Sequence, residues 1–165
     1  MRGVKILGVS MKVAVSVQVK RPGISASHLR RIVRHVMRRE GAPKRSEISV
    51  ALVNDAAVRW LNRRHLGKDR ATDVLAFPLH ETAKAGRRIP KVGRRAQLGE
   101  VVVSVDRARI QAGDAGHRVR TEVALLATHG VLHLLGYDDR SRRGTERMMR
   151  RARTLLAEAG EKVKG

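Results

Sequence analysis

The chain predicts a single α/β (α+β) domain, a small mixed sheet of about four strands with helices packed on it. Three observations carry that expectation. Valine-rich stretches of strand length are interleaved with amphipathic helical stretches, no internal repeat is visible, and 165 residues are enough to bury one core without disulfides. The domain is expected to span residues 11–160. Residues 1–10 read as an N-terminal extension or an upstream start, since the cleaner strand begins at Met11.

The elements follow in order. "KVAVSVQV", residues 12–19, places Val13, Val15, Val17 and Val19 at the period of a half-buried strand. "SASHLRRIVRHVMRREG" is a helix with Ser25 or Ser27 as N-cap. Its apolar stripe is Leu29, Ile32, Val33, Val36 and Met37, and Gly41 stops it. "EISVALV", 47–53, is a second strand, followed by a helix capped at Asn54 or Asp55 and stopped at Gly67. "TDVLAFPL" is a short strand limited by Pro78, and "LGEVVVSVD", 98–106, a stronger one. Between them "HETAKAGRRIPKVGRRAQ" carries six basic residues and no period, which suggests a mobile surface loop, either RNA-contacting or merely solvated. Helices are expected near 107–113, 118–135 and 142–159.

Composition narrows the chemistry. The chain has no cysteine, so thiolate metal sites are excluded and any zinc must be held by His, Asp or Glu. A reducing, cytoplasmic location fits that absence. Lys5 and Lys12 interrupt the apolar start, so neither a signal peptide nor a membrane span is expected. The net charge of +21 favours polyanionic partners, above all nucleic acid, with a generally basic solvated surface as the alternative. One Trp, one Tyr and one Phe are too few for the stacking platforms of the common single-strand binders, which leaves phosphate contacts to dominate.

The stretch "ATHGVLHLLGYDDRS", 127–141, carries the chemistry. On a helix Leu125, His129 and His133 share one stripe, and two imidazoles so placed can chelate one ion. Gly136 can then take the left-handed conformation that ends a helix, letting the chain fold back to present Asp138 or Asp139. His129, His133 and Asp139 have the spacing of zinc sites with a Gly turn before the third ligand. Two histidines on an apolar helix are also compatible with a plain core or cap role. The zinc peptidase motif has a glutamate after its first histidine, where Gly130 stands here, so a metallopeptidase is disfavoured.

"HGVLHLLGYDD" is similar to the H-G-x-L-H-L-x-G-Y-D-H signature of the YbeY family of bacterial endoribonucleases and rRNA maturation factors. "LNRRHLGKDRATDVLAFP", "LGEVVVS" and "GTERMMRRARTLL" resemble three further family segments in the same order, so the likeness runs from about 45 to 159. It implies a zinc-dependent, single-strand-selective endoribonuclease of the cytoplasm, acting on the 3′ end of 16S rRNA and in ribosome quality control. It also implies one zinc per chain held by His129, His133 and Asp139, and partnership with rRNA and the ribosome or its small subunit. The nucleophile, a metal-bound water or the RNA's own 2′-OH, stays open.

Two positions depart from the family pattern. Asp139 stands where the family has its third histidine, which lowers the net site charge by one. Leu66 stands where the family has an arginine, so Arg63, Arg64, Lys68 or Arg70 is expected to take over phosphate contact, or activity is reduced. These departures keep a second reading alive, an rRNA- or ribosome-binding assembly factor with a structural metal. Among weaker candidates, Thr72 and Asp73 are expected to orient the site or cap a turn. Glu100 and Ser104 are expected to face the metal cleft, which is taken to be basic. His28, His35, His65, His80 and His117 are expected at the surface.

Overall fold

A computed structural model describes residues 10–79 and 96–164. In chain order the elements are β1 (Lys12–Val17), α1 (Ala26–Arg39), β2 (Ser46–Val53), α2 (Asp55–Leu66), β3 (Val74–Pro78), β4 (Ala96–Ser104), α3 (Val105–Ala115), α4 (Val119–Leu134) and α5 (Arg142–Glu158). The strands form one sheet in the order β1-β2-β4-β3, with β1, β2 and β4 parallel and β3 antiparallel to β4 at one edge. This is the expected α/β architecture with a four-stranded mixed sheet.

The local rules are visible at the element ends. The Ser25 hydroxyl accepts from the His28 amide at 3.2 Å and starts α1, while the Asn54 side chain accepts from the Ala57 amide at 2.9 Å and starts α2. α3 begins earlier than 107 because Ser104, the last residue of β4, caps it by accepting from the Arg107 amide. β1 ends at Val17, two residues short of the expected strand. The expected loop over 80–97 lies outside the described residues except for Ala96 and Gln97, which open β4. No described helix is long and apolar enough to cross a membrane.

Side-chain alternation assigns the two sheet faces. Val50, Leu52, Val101 and Val103 point into the main core with α1, α4 and α5, whereas Ala51, Val53 and Val102 meet Val58 of α2 in a small separate cluster. The main core is capped by α4, whose residues are buried nearly all round, twelve of sixteen. Among the described elements the opposite face is covered by α2, which buries only Val58 and Asn62.

α4 sits close on the sheet because Gly130 lets it. A Cβ there would lie 2.5 Å from Val101 Cγ1 and 3.2 Å from Val74 Cγ2. A glutamate at this position would lift the helix off the strands that position the site, so the missing peptidase base follows from packing.

A candidate metal site at the end of helix α4

His129 and His133 lie one turn apart near the C-terminus of α4, with their Nε2 atoms 3.2 Å from each other. The Asp139 Oδ2 atom closes the triangle, 3.6 Å from His129 Nε2 and 3.3 Å from His133 Nε2. A tetrahedral ion with bonds of about 2.0–2.2 Å sets its donors roughly 3.3–3.6 Å apart. Two nitrogens and a carboxylate oxygen at these spacings therefore suit zinc. The donor chemistry points the same way, because two imidazole Nε2 atoms turned toward each other and toward a carboxylate oxygen leave a place for a shared cation.

The turn that brings Asp139 back is built by the helix end. The Gly136 amide donates to the His133 carbonyl and the Tyr137 amide to the Leu132 carbonyl, both at 3.0 Å. This paired closure requires a left-handed residue at Gly136, which has φ 98°. Tyr137 then ties the turn to the rest of the molecule: its hydroxyl donates to Glu40 Oε2 at 2.6 Å, and Arg151 of α5 donates to Glu40 Oε1 at 2.6 Å. Thr145 Oγ1 donates to the Asp139 carbonyl at 2.9 Å. The third donor is thus held from α1 and α5 as well as from α4.

The two neighbouring aspartates separate cleanly. Asp138 turns away, accepting from the Arg140 amide and guanidinium, and this pairing holds its carboxyl at about 2, well below the usual range. Asp139 faces the histidines. Burial, and then the proximity of His133, push the His129 pKa down, which favours the neutral imidazole that a metal requires. The Nδ1 atom of His129 is buried with no hydrogen-bond partner among the described residues.

The site opens into a cleft of about 510 Å3 whose lining includes Thr72 and Asp73. Asp73 is firmly oriented: its carboxylate accepts from the Val74 amide at 2.8 Å and from Gln111 Nε2 at 3.0 Å, and its carbonyl accepts from the Ser104 amide. Both residues line the cleft, and Asp73 also caps the start of β3 through the Val74 amide, so the orienting and capping roles expected as alternatives each have a basis here.

Other expectations need correction. The cleft is not basic: among the described residues lining it, Asp73, Asp138 and Asp139 outnumber Arg140, the one arginine or lysine there. Arg63, Arg64, Lys68 and Arg70 are exposed at the end of α2 and in the segment after it, and none lines the cleft. Leu66 is likewise exposed and outside it. Glu100 and Ser104 do not face the cleft either. Glu100 lines a groove on the α2 side of the sheet, and buried Ser104 donates to Asp55 Oδ1 at 2.5 Å. Three of the histidines taken as surface groups are partly or well covered. His28 Nε2 is 2.5 Å from buried Glu161, His35 is 3.3 Å from Glu158, and the His117 side chain is only 4% exposed beside Glu122. His65 is exposed as expected, and His80 lies outside the described residues.

Glu40 escaped the sequence reading. It lies 97 residues from Tyr137 and at the C-cap of a basic helix, with no motif to mark it.

Comparison with known proteins sets this geometry in context. A family model described as Endoribonuclease YbeY matches residues 14–160. The endoribonuclease YbeY of Moorella thermoacetica is 40% identical over 134 residues, 81% of this chain and 86% of that protein. Those of Desulfitobacterium hafniense and Bacillus subtilis are 42% and 36% identical, over 70% and 75% of this chain and 73% and 79% of their own lengths. The solution structure of TM1509 from Thermotoga maritima superposes with a TM-score of 0.57 at 21% identity, covering 94% of this chain and 98% of that one, which speaks for the fold.

Proposed function

The chain belongs to the YbeY family, and from that premise we propose that it is a zinc-dependent endoribonuclease selective for single-stranded RNA, cytoplasmic, maturing the 3′ end of 16S rRNA and serving ribosome quality control. The observation that carries the reading is the convergence of His129, His133 and Asp139 at the wall of an open cleft. His129 and His133 would hold a zinc ion as neutral imidazoles, and Asp139 would add one negative charge where the family signature has a third neutral ligand; the ion so held would supply Lewis-acid polarisation of a phosphoryl oxygen and activation of water. Asp73, fixed by Gln111 and the Val74 amide, lines the same cleft as an oriented hydrogen-bond acceptor for a water or a ribose hydroxyl. Among the described residues Arg140 is the arginine lining the cleft that can meet a phosphate. Arg63, Arg64, Lys68 and Arg70 lie outside it, where they can hold RNA backbone leading in or out.

The test is cleavage of an end-labelled single-stranded RNA by the wild type and His133→Ala, with zinc content measured on both. The reading expects about one zinc per chain and cleavage in the wild type and neither in the variant. Cleavage by a zinc-free His133→Ala protein at wild-type rate contradicts it. Among the described residues a single arginine lines the cleft beside acidic neighbours and Leu66 stands outside it, which favours one alternative: an rRNA- or ribosome-binding assembly factor whose metal is structural. Salt-sensitive rRNA binding with no cleavage by zinc-loaded wild type would select that alternative.

A further inference from the structure

The face of the sheet that α2 covers carries a groove the metal site does not use. It holds about 450 Å3 and is lined by Trp60, His65, Phe77, Gln18, Glu100 and Val102. The chain has one Trp and one Phe, and both stand here. Trp60 is 57% exposed, with the Arg64 guanidinium 5.3 Å from its ring centroid. His65 and Phe77 meet edge to face at 5.4 Å. Single exposed apolar residues are ordinary on protein surfaces, but an indole at the mouth of a groove backed by two further rings is a concave aromatic site.

Its chemistry fits one occupant. A largely exposed indole with an arginine over its ring offers stacking and cation–π contact to an unpaired base, and every base has a π-face to offer. The Gln18 amide can donate to and accept from a base edge, and the Glu100 carboxylate can accept from an exocyclic amine. Exposed Arg63, Arg64 and Lys68 at the α2 end complement the phosphates on either side. A duplex hides its base faces, so such a groove admits single strands and rejects paired ones. Its position joins it to the cleft. Phe77 faces the groove, while its neighbours Ala76 and Pro78 line the metal cleft from the same edge strand β3.

We propose that this groove takes an unpaired base of the RNA strand whose backbone enters the metal cleft, stacked on Trp60, and that selectivity for single strands is set there. The inference rests on the endoribonuclease reading. The stacking platform that the aromatic count seemed to exclude is thus assembled from nearly all the aromatics the chain has.

Trp60 reports on its own site, because it is the chain's one tryptophan. The experiment titrates full-length wild-type protein with an unstructured oligoribonucleotide, with an abasic oligonucleotide of equal length and with a matched RNA duplex, following tryptophan fluorescence. Anisotropy of the labelled strands is followed in parallel for wild type, Trp60→Ala and Trp60→Phe. The proposal expects quenching by the single strand alone. It also expects about tenfold weaker single-strand binding in Trp60→Ala, near-complete recovery in Trp60→Phe and an unchanged salt slope. Equal quenching by abasic strand or duplex, or equal affinity of Trp60→Ala, overturns it. A concentration-dependent dimer that Trp60→Ala abolishes while RNA affinity stays unchanged assigns the groove to a second copy of the chain and likewise overturns it. Assaying zinc content and cleavage of the same strand by wild type and His133→Ala separates the two claims. Cleavage that needs His133 without base-dependent quenching sinks the groove alone, and quenching without cleavage sinks the nuclease reading while the groove stands as an RNA site.

Discussion

The two faces of the sheet differ in how thoroughly they are covered. On one, α1, α4 and α5 bury Leu132, Leu134 and Met148 completely and hold the metal donors at the end of α4. On the other, α2 buries only two of its own residues and leaves Trp60 and Leu66 largely in water. Candidate metal donors, whose placement must be held to fractions of an ångström, rest on the packed side, where a helix, a closed turn and the Glu40 anchor fix them. The sparse side has less packing to lose, so its side chains are available for contact.

Substitutions on the two faces should therefore separate by size. Leu132→Ala, in the packed core beneath the site, is expected to cost about 2–5 kcal/mol in denaturant unfolding. Trp60→Ala, on the sparse face, is expected to stay within about 0.5 kcal/mol. Comparable losses at the two positions would erase the contrast.

An intermediate effect is expected at the anchor between the packed elements. Tyr137→Phe removes the hydroxyl that donates to Glu40 and should cost about 1–2 kcal/mol. By loosening the turn that carries Asp139 it should also weaken zinc affinity about tenfold in a chelator competition. Zinc affinity equal to wild type would show that α4 and Thr145 alone hold the third donor.

The smallest effect is a pH dependence. Burial is the main cause raising the Glu122 carboxyl, opposed by nearby His117 and Arg153 and reinforced by Asp73. In the window between the ordinary carboxylate value and this raised one, the folded chain holds the proton that the unfolded chain has lost. Its contribution to stability is therefore present at low pH and falls as pH rises through that window. Glu122→Gln should flatten this fall in urea midpoints measured from about pH 4 to 6, where a group near pKa 4.3 begins to ionise. An unchanged slope would mean that the carboxyl titrates as in water.

Legibility from sequence followed the range of the interactions involved. The α1 stripe, the Asn54 cap and the Gly136 turn could be read directly, because each is a matter of a few neighbouring residues. The triad was readable as a spacing, since His129 and His133 share one helix and Gly136 marks the return. The helix-end geometry alone left Asp138 and Asp139 both open and the ligand spacing and family signature pointed to Asp139; the turning away of Asp138 depends on its capture by Arg140. For Glu100 and Ser104 the alternation was right and the face wrong. A two-residue period says which side chains share a side but not which side the helix carrying the histidines will cover. The strand order, the Glu40 anchor and the meeting of His65 with Phe77 depend on contacts between distant segments and leave no local trace.

The most direct test of the central claim is to strip the purified protein of metal with a chelator and restore zinc in steps while following RNA cleavage and thermal unfolding. The account predicts no cleavage by the stripped protein, recovery complete at about one zinc per chain, and a zinc-dependent rise in Tm that is absent in Asp139→Ala. Full cleavage by the stripped protein, or a zinc response in Asp139→Ala equal to wild type, would contradict it.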